Sequence, residues 1–173
     1  MRAAVSVVLA ALTLAVLAPG SSTAEPRPAG ASPVPAASWT APLGGELAVT
    51  RSFQPPAHPY GPGHRGVDLG GAPGAAVLAA GDGVVVFAGM VAGRPVVSVE
   101  HAGGLRTTYE PVAPSVAAGQ RVTRGAPIGT LAAGHAGCPV SACLHWGVRR
   151  GEDYLDPLQL LAVRVRLLPL RGP

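Results

Sequence analysis

Residues 83–109 read GVVVFAGMVAGRPVVSVEHAGGLRTTY, and the fold class follows from them. Gly83 to Val91 is a β-branched, apolar run bounded by glycine, Pro95 to Glu100 alternates apolar and polar side chains after Val96, and Leu105 to Tyr109 is a further strand candidate. Alternation with period two places successive side chains on opposite faces of a sheet, and β-branched residues suit a pleated surface. The breaks at Gly93-Arg94 and Ala102-Gly103-Gly104 predict hairpin connections. Downstream, Gly119–Gly125 followed by Pro127–Leu131 reads as turn, strand, turn, strand. No segment carries the period of a long amphipathic helix. One short helical turn is expected within Tyr154–Leu161, with Asp156 as N-cap and Pro157 in the first helical position. The expected fold is all-β, an antiparallel sandwich or folded sheet with little helix.

Outward from this core the composition changes. Arg2 is followed by an apolar run from Val5 to Leu17, broken only by Ser6 and Thr13, and then by the small residues Ser22-Thr23-Ala24. This is the pattern of a secretory leader cut after Ala24, and the apolar run is short for a membrane span of ~20 residues. Residues 25–40 form a Pro/Ala-rich arm with no apolar period, which reads as a disordered linker. The expected organisation is a leader at 1–24, the arm at 25–40, a β domain at 41–163 and a tail at 164–173. The mature chain is therefore expected outside the cytoplasmic membrane, secreted or associated with the cell wall, with no membrane span once the leader is removed.

The 173 residues include 13 arginines and no lysine against 9 acidic groups, a formal net charge of +4. The arginines are scattered rather than clustered, so no nucleic-acid-binding patch is expected. The two cysteines, Cys138 and Cys143, lie in the part expected to be exported, where disulfides persist. An even count there favours one local bridge. Zinc ligation by a Cys143 thiolate and a nucleophilic Cys143 are the other readings, the latter needing a nearby base.

His64 and Asp68 stand four apart in Gly63-His-Arg-Gly-Val-Asp-Leu69, and His145 stands in Cys143-Leu-His-Trp-Gly-Val148. Two imidazoles and a carboxylate make a three-ligand zinc site with a fourth position open. Gly66 between the first two implies extended or turning backbone rather than helix. Spacing alone fits a metal site and an ordinary packed pair alike. The wider context adds to this. YGPGHRGVDL (60–69), GAAVLAAGDGVV (74–85), VEHAGGLRTTY (99–109), GAPIGTL (125–131) and CLHWGVRRG (143–151) occur in the order found in the lysostaphin-type (LytM-like) zinc metallopeptidases. The chain resembles that family from about Leu43 to Leu161. The resemblance implies a mostly β core with a narrow groove, one zinc ion held by His64, Asp68 and His145, and action on peptidoglycan cross-bridge or stem peptides.

The family pattern also carries two catalytic histidines, and this sequence departs from it at both. Pro111 stands where a Y-x-H string has its histidine, and Cys143 where H-x-H has its first. A positioned acid–base group is worth ~100- to 10,000-fold and an oxyanion donor ~100- to 1,000-fold. Loss of both implies a catalytically degenerate member that binds wall peptides or regulates a cell-wall hydrolase. An active zinc endopeptidase is the alternative. Glu110 and His135 are the candidate replacements for the lost groups. Strand alternation predicts that Glu110 points away from the site unless the chain bulges, and His135 reads as a solvated loop residue. His101 and His58 read as structural or solvated. Tyr60, Tyr109 and Trp146 fit either a groove lining or the core.

Overall fold

The computed structural model describes residues 39–58 and 61–161. The expected leader, most of the arm, the C-terminal tail and Tyr60 lie outside the described residues. Eleven strands follow in order: β1 (Val49–Arg51), β2 (Gly66–Gly71), β3 (Ala76–Leu78), β4 (Gly83–Val91), β5 (Arg94–Glu100), β6 (Leu105–Glu110), β7 (Val112–Pro114), β8 (Arg121–Val122), β9 (Pro127–Leu131), β10 (Ala142–Arg150) and β11 (Asp153–Leu155). One helical turn, α1 (Leu158–Leu161), closes the series. All ladders between these strands are antiparallel. The fold class is as expected.

Eight strands make one sheet in the order β1-β2-β10-β6-β5-β4-β8, with β11 paired to β10, while β3-β9-β7 make a second. Strand β10 therefore runs between β2 and β6 in the middle of the large sheet. Its alternation decides what faces where. Trp146 lies opposite Val67 on one side and Tyr109 on the other, and all three are fully buried. They join Leu69, Leu144, Val97 and Val99 of the large sheet and Val77, Val112, Ile128 and Leu131 of the small one in a single apolar core. Tyr109 and Trp146 are thus core residues, not groove lining.

The Tyr109 hydroxyl accepts the N–H of Ala80 at 2.9 Å and is hydrogen-bonded to Thr107 at 2.9 Å. Burial pushes its pKa up to about 12, so it stays a neutral phenol. His101 extends this network. It is buried, with Nδ1 2.8 Å from the Asp82 carbonyl and Nε2 2.7 Å from Thr107 Oγ1, and is structural. His58 is exposed.

The β4–β5 connection falls one residue earlier than expected, at Ala92-Gly93, and Arg94 opens β5. Both turn residues have positive φ, 48° and 81°, as the two central positions of a type I′ hairpin turn require. The short helix is capped as expected: Leu158 N–H donates to Asp156 Oδ1 at 3.0 Å. Among the described residues no helix is long and apolar enough to cross a membrane.

Candidate metal centre

Because Trp146, Val67 and Tyr109 fill the core side, their neighbours His145, Asp68 and Glu110 lie on the opposite face. His145 is directly opposite Asp68 across β2–β10 and directly opposite Glu110 across β6–β10. His64 precedes β2, and its backbone exchanges two hydrogen bonds with Gln54, at 2.8 and 3.0 Å. That bridge turns its ring onto the same face. Gly66 and Gly147 pair beneath His145. A Cβ at Gly66 would come within 2.5 Å of the Trp146 carbonyl oxygen and 2.7 Å of His145 Nε2, so only glycine admits the imidazole there.

Three donor atoms converge. Asp68 Oδ1 lies 3.0 Å from His64 Nε2 and 2.8 Å from His145 Nδ1, and the two imidazole nitrogens are 3.1 Å apart. His64 Nδ1 lies 2.8 Å from the Ser52 carbonyl. Donating to it fixes the tautomer that leaves Nε2 with a lone pair. Asp68 and His64 are buried, and His145 is partly open to solvent. Burial pushes the Asp68 carboxyl up, but the hydrogen bond from His145 and the charges of His64, His135 and His145 outweigh it. The group sits below its ordinary range and is an anion.

His64, Asp68 and His145 could therefore hold a metal ion. A tetrahedral zinc with bonds of ~2.0–2.2 Å sets its donors roughly 3.3 Å apart. The observed separations are shorter than this by a few tenths of an ångström, so small side-chain rotations would admit the ion. Two imidazoles and one carboxylate are a donor set that zinc favours, and three protein ligands leave a fourth position open.

Two residues differ from expectation. Glu110 is on the ligand face, not turned away. Strand β6 ends at Glu110 and β7 begins at Val112 in the other sheet, so the alternation does not run through Pro111. The carboxylate is held by Arg94, Nε to Oε1 at 2.9 Å. His135 is not a solvated loop residue. Its side chain is 13% exposed and its Nε2 lies 3.2 Å from Asp68 Oδ2. Its ring stacks on that of His145, with centroids 6.0 Å apart and planes 19° from parallel. No periodic signal in the sequence points to this contact; the nearest cue is the spacing of Cys138 and Cys143, which closes the loop beside it.

Cys138 and Cys143 form a disulfide, so the readings of Cys143 as thiolate ligand and as nucleophile fall away. Pro111 is buried, and its carbonyl accepts the N–H of Ala132 at 3.0 Å.

With this geometry in place, comparison with known proteins is direct. Residues 62–157, which contain all three candidate ligands, match the model of peptidase family M23. The chain belongs to peptidase family M23. Over 134 residues it is 54% identical to protein Rv2891 of Mycobacterium tuberculosis, an alignment that covers 75% of this chain and 54% of the relative. The chain thus spans about half the length of the curated relatives it matches. Among solved structures, it is similar to Helicobacter pylori Csd3, with a TM-score of 0.59 and 26% identity over 72% of this chain and 35% of that one. It is likewise similar to a zinc-containing peptidase from Vibrio cholerae, with a TM-score of 0.59 and 26% identity over 75% of this chain and 41% of that one. In this M23 domain the all-β arrangement described above carries the candidate ligands on the face of the large sheet opposite the apolar core.

Proposed function

We propose that this M23 domain is exported, binds one zinc ion through His64, Asp68 and His145, and acts at the cell wall as a catalytically degenerate member of its family. In this reading it binds peptidoglycan peptides or regulates a wall hydrolase. The observation that carries it is the pairing of a complete ligand triad with two substituted positions. Cys143 is locked in a disulfide and has no thiol to exchange a proton. Pro111 has no titratable group, and its carbonyl is taken up by Ala132. Bound zinc would polarise a peptide carbonyl and acidify a coordinated water. This chain's own residues would orient the ion: Ser52 through His64, and the glycine floor beneath His145. The zinc-containing relative from Vibrio cholerae supports the choice of metal. Export rests on the leader pattern at 1–24, ahead of the arm at 25–40 and the domain at 41–163.

A second reading, an active zinc endopeptidase cleaving peptidoglycan cross-bridge or stem peptides, has specific support as well. Glu110 lies beside His145 on the ligand face, and His135 reaches Asp68. Against it, the Glu110 carboxylate is engaged in an ion pair with Arg94, Nε to Oε1 at 2.9 Å.

The deciding experiment is incubation of zinc-loaded mature protein with purified sacculi, with His64→Ala as control. The degenerate reading expects co-sedimentation without release of new amino termini. Release by the wild type and not by His64→Ala overturns it in favour of the peptidase.

A further inference from the structure

The segment between β9 and β10 is tied at both ends. At its start, Ala132 N–H donates to the Pro111 carbonyl; at its end, Cys138 is bridged to Cys143 of β10, two residues from His145. Inside it, Cys138 N–H donates to the His135 carbonyl at 3.3 Å, closing a tight turn. Gly134 and Gly137 have φ of 99° and 78°, a region that side chains resist. These constraints leave the His135 ring stacked on His145 with Nε2 against Asp68 Oδ2. The two oxygens of Asp68 are therefore served separately: Oδ1 faces His64 and His145, and Oδ2 faces His135.

We propose that His135, delivered by the bridged loop, is a positioning residue of the metal centre, holding Asp68 Oδ2 so that Oδ1 alone is presented to the ion. This rests on the zinc reading of His64, Asp68 and His145. A ligating carboxylate with a free second oxygen can swing or bind through both oxygens. A ring nitrogen set 3.2 Å from the outer oxygen limits that freedom, and such outer partners are worth about 10- to 100-fold in metal affinity. The disulfide then has a role at the metal as well as in the fold. Without it, the loop loses the tether that keeps His135 over Asp68.

The test is zinc affinity of the full chain by competition with a chromophoric chelator, together with the visible spectrum of the cobalt(II) form. Wild type, His64→Ala, His135→Ala, His135→Gln and the Cys138→Ser/Cys143→Ser double variant are compared, with far-ultraviolet circular dichroism confirming that each is folded. His135→Ala and the double variant are expected to lose about 10- to 100-fold in affinity. His135→Gln, which keeps a donor near the same place, recovers most of it. The cobalt absorption of His135→Ala weakens as the freed Oδ2 joins the coordination. Affinity of His135→Ala within threefold of wild type overturns the proposal. So does a loss that glutamine does not restore and that leaves the cobalt spectrum unchanged, since that marks a purely structural role. Wild type binding no better than His64→Ala sinks the zinc reading itself, and this proposal with it.

Discussion

Asp68 and His145 face each other across the β2–β10 ladder, with carboxylate Oδ1 2.8 Å from imidazole Nδ1. Two central strands of one sheet thus set the spacing of the ligand set before any ion arrives, and only His64 is supplied from outside a strand.

Because the donors are already gathered, zinc should stabilise the folded chain directly. A ligand at 100 times its dissociation constant adds about 2.7 kcal/mol, which for a domain of this size raises the thermal midpoint by on the order of 10 °C. Differential scanning calorimetry should record that rise, reversed by a chelator and absent in His64→Ala and Asp68→Ala. Equal midpoints with and without zinc in the wild type would count against the site.

Gly66 is where the site is least tolerant. Gly66→Ala drives a Cβ into the Trp146 carbonyl and the His145 ring, and overpacking of this kind costs about 1–3 kcal/mol. Gly147→Ala on the facing strand meets nothing nearer than 3.3 Å and should cost less. Urea midpoints of the two variants rank them; the reverse order would refute the glycine floor.

The disulfide should be quantitative and modestly stabilising. No free thiol is expected under denaturing, non-reducing conditions, and two free thiols would contradict the bridge. In the chain-entropy description, closing a loop this short contributes about 2 kcal/mol, so Cys138→Ser/Cys143→Ser should lower the unfolding free energy by that order.

His101 predicts an acid limb. Burial holds its imidazole below the ordinary value, against the Asp82 carbonyl and the charges of Asp82 and Glu100. The unfolded chain titrates near 6.5 and binds the proton more readily than the folded one. The stabilisation is therefore complete above about pH 6.5 and is lost as pH falls towards the folded value. Equilibrium unfolding against pH should show wild type losing more stability than His101→Gln below about pH 6.5. Parallel curves would remove His101 from the explanation.

Much of this was readable from residue order, and the remainder depended on register. The alternation in Val97-Ser-Val-Glu100 and the β-branched run after Gly83 disclosed β5 and β4, because each strand carries its own burial pattern. His64, Asp68 and His145 stand out as candidates through the resemblance of their surrounding motifs to the lysostaphin-type family, since their spacing alone fits an ordinary packed pair as well. Glu110 departs from the expected orientation because alternation holds only within a strand, and the chain changes sheet at Pro111. The place of His135 is not legible in sequence because its partner is 67 positions away, and only the folding back of a bridged loop brings them together. The small sheet of β3, β9 and β7 escaped for a similar reason: three short pieces far apart in the chain carry no local sign of being partners.

Strand β10 has a broader implication. Leu144 and Trp146 sit in the apolar interior while Cys143, itself buried, and His145 lie on the ligand face, so scaffold and chemistry occupy alternate letters of the same word. A letter such as His145 can be respelled while Leu144 and Trp146 keep their places in the interior. A side chain on the ligand face can be exchanged for one of different chemistry while the interior stays sound, so an altered chemical face does not by itself mean a decaying protein.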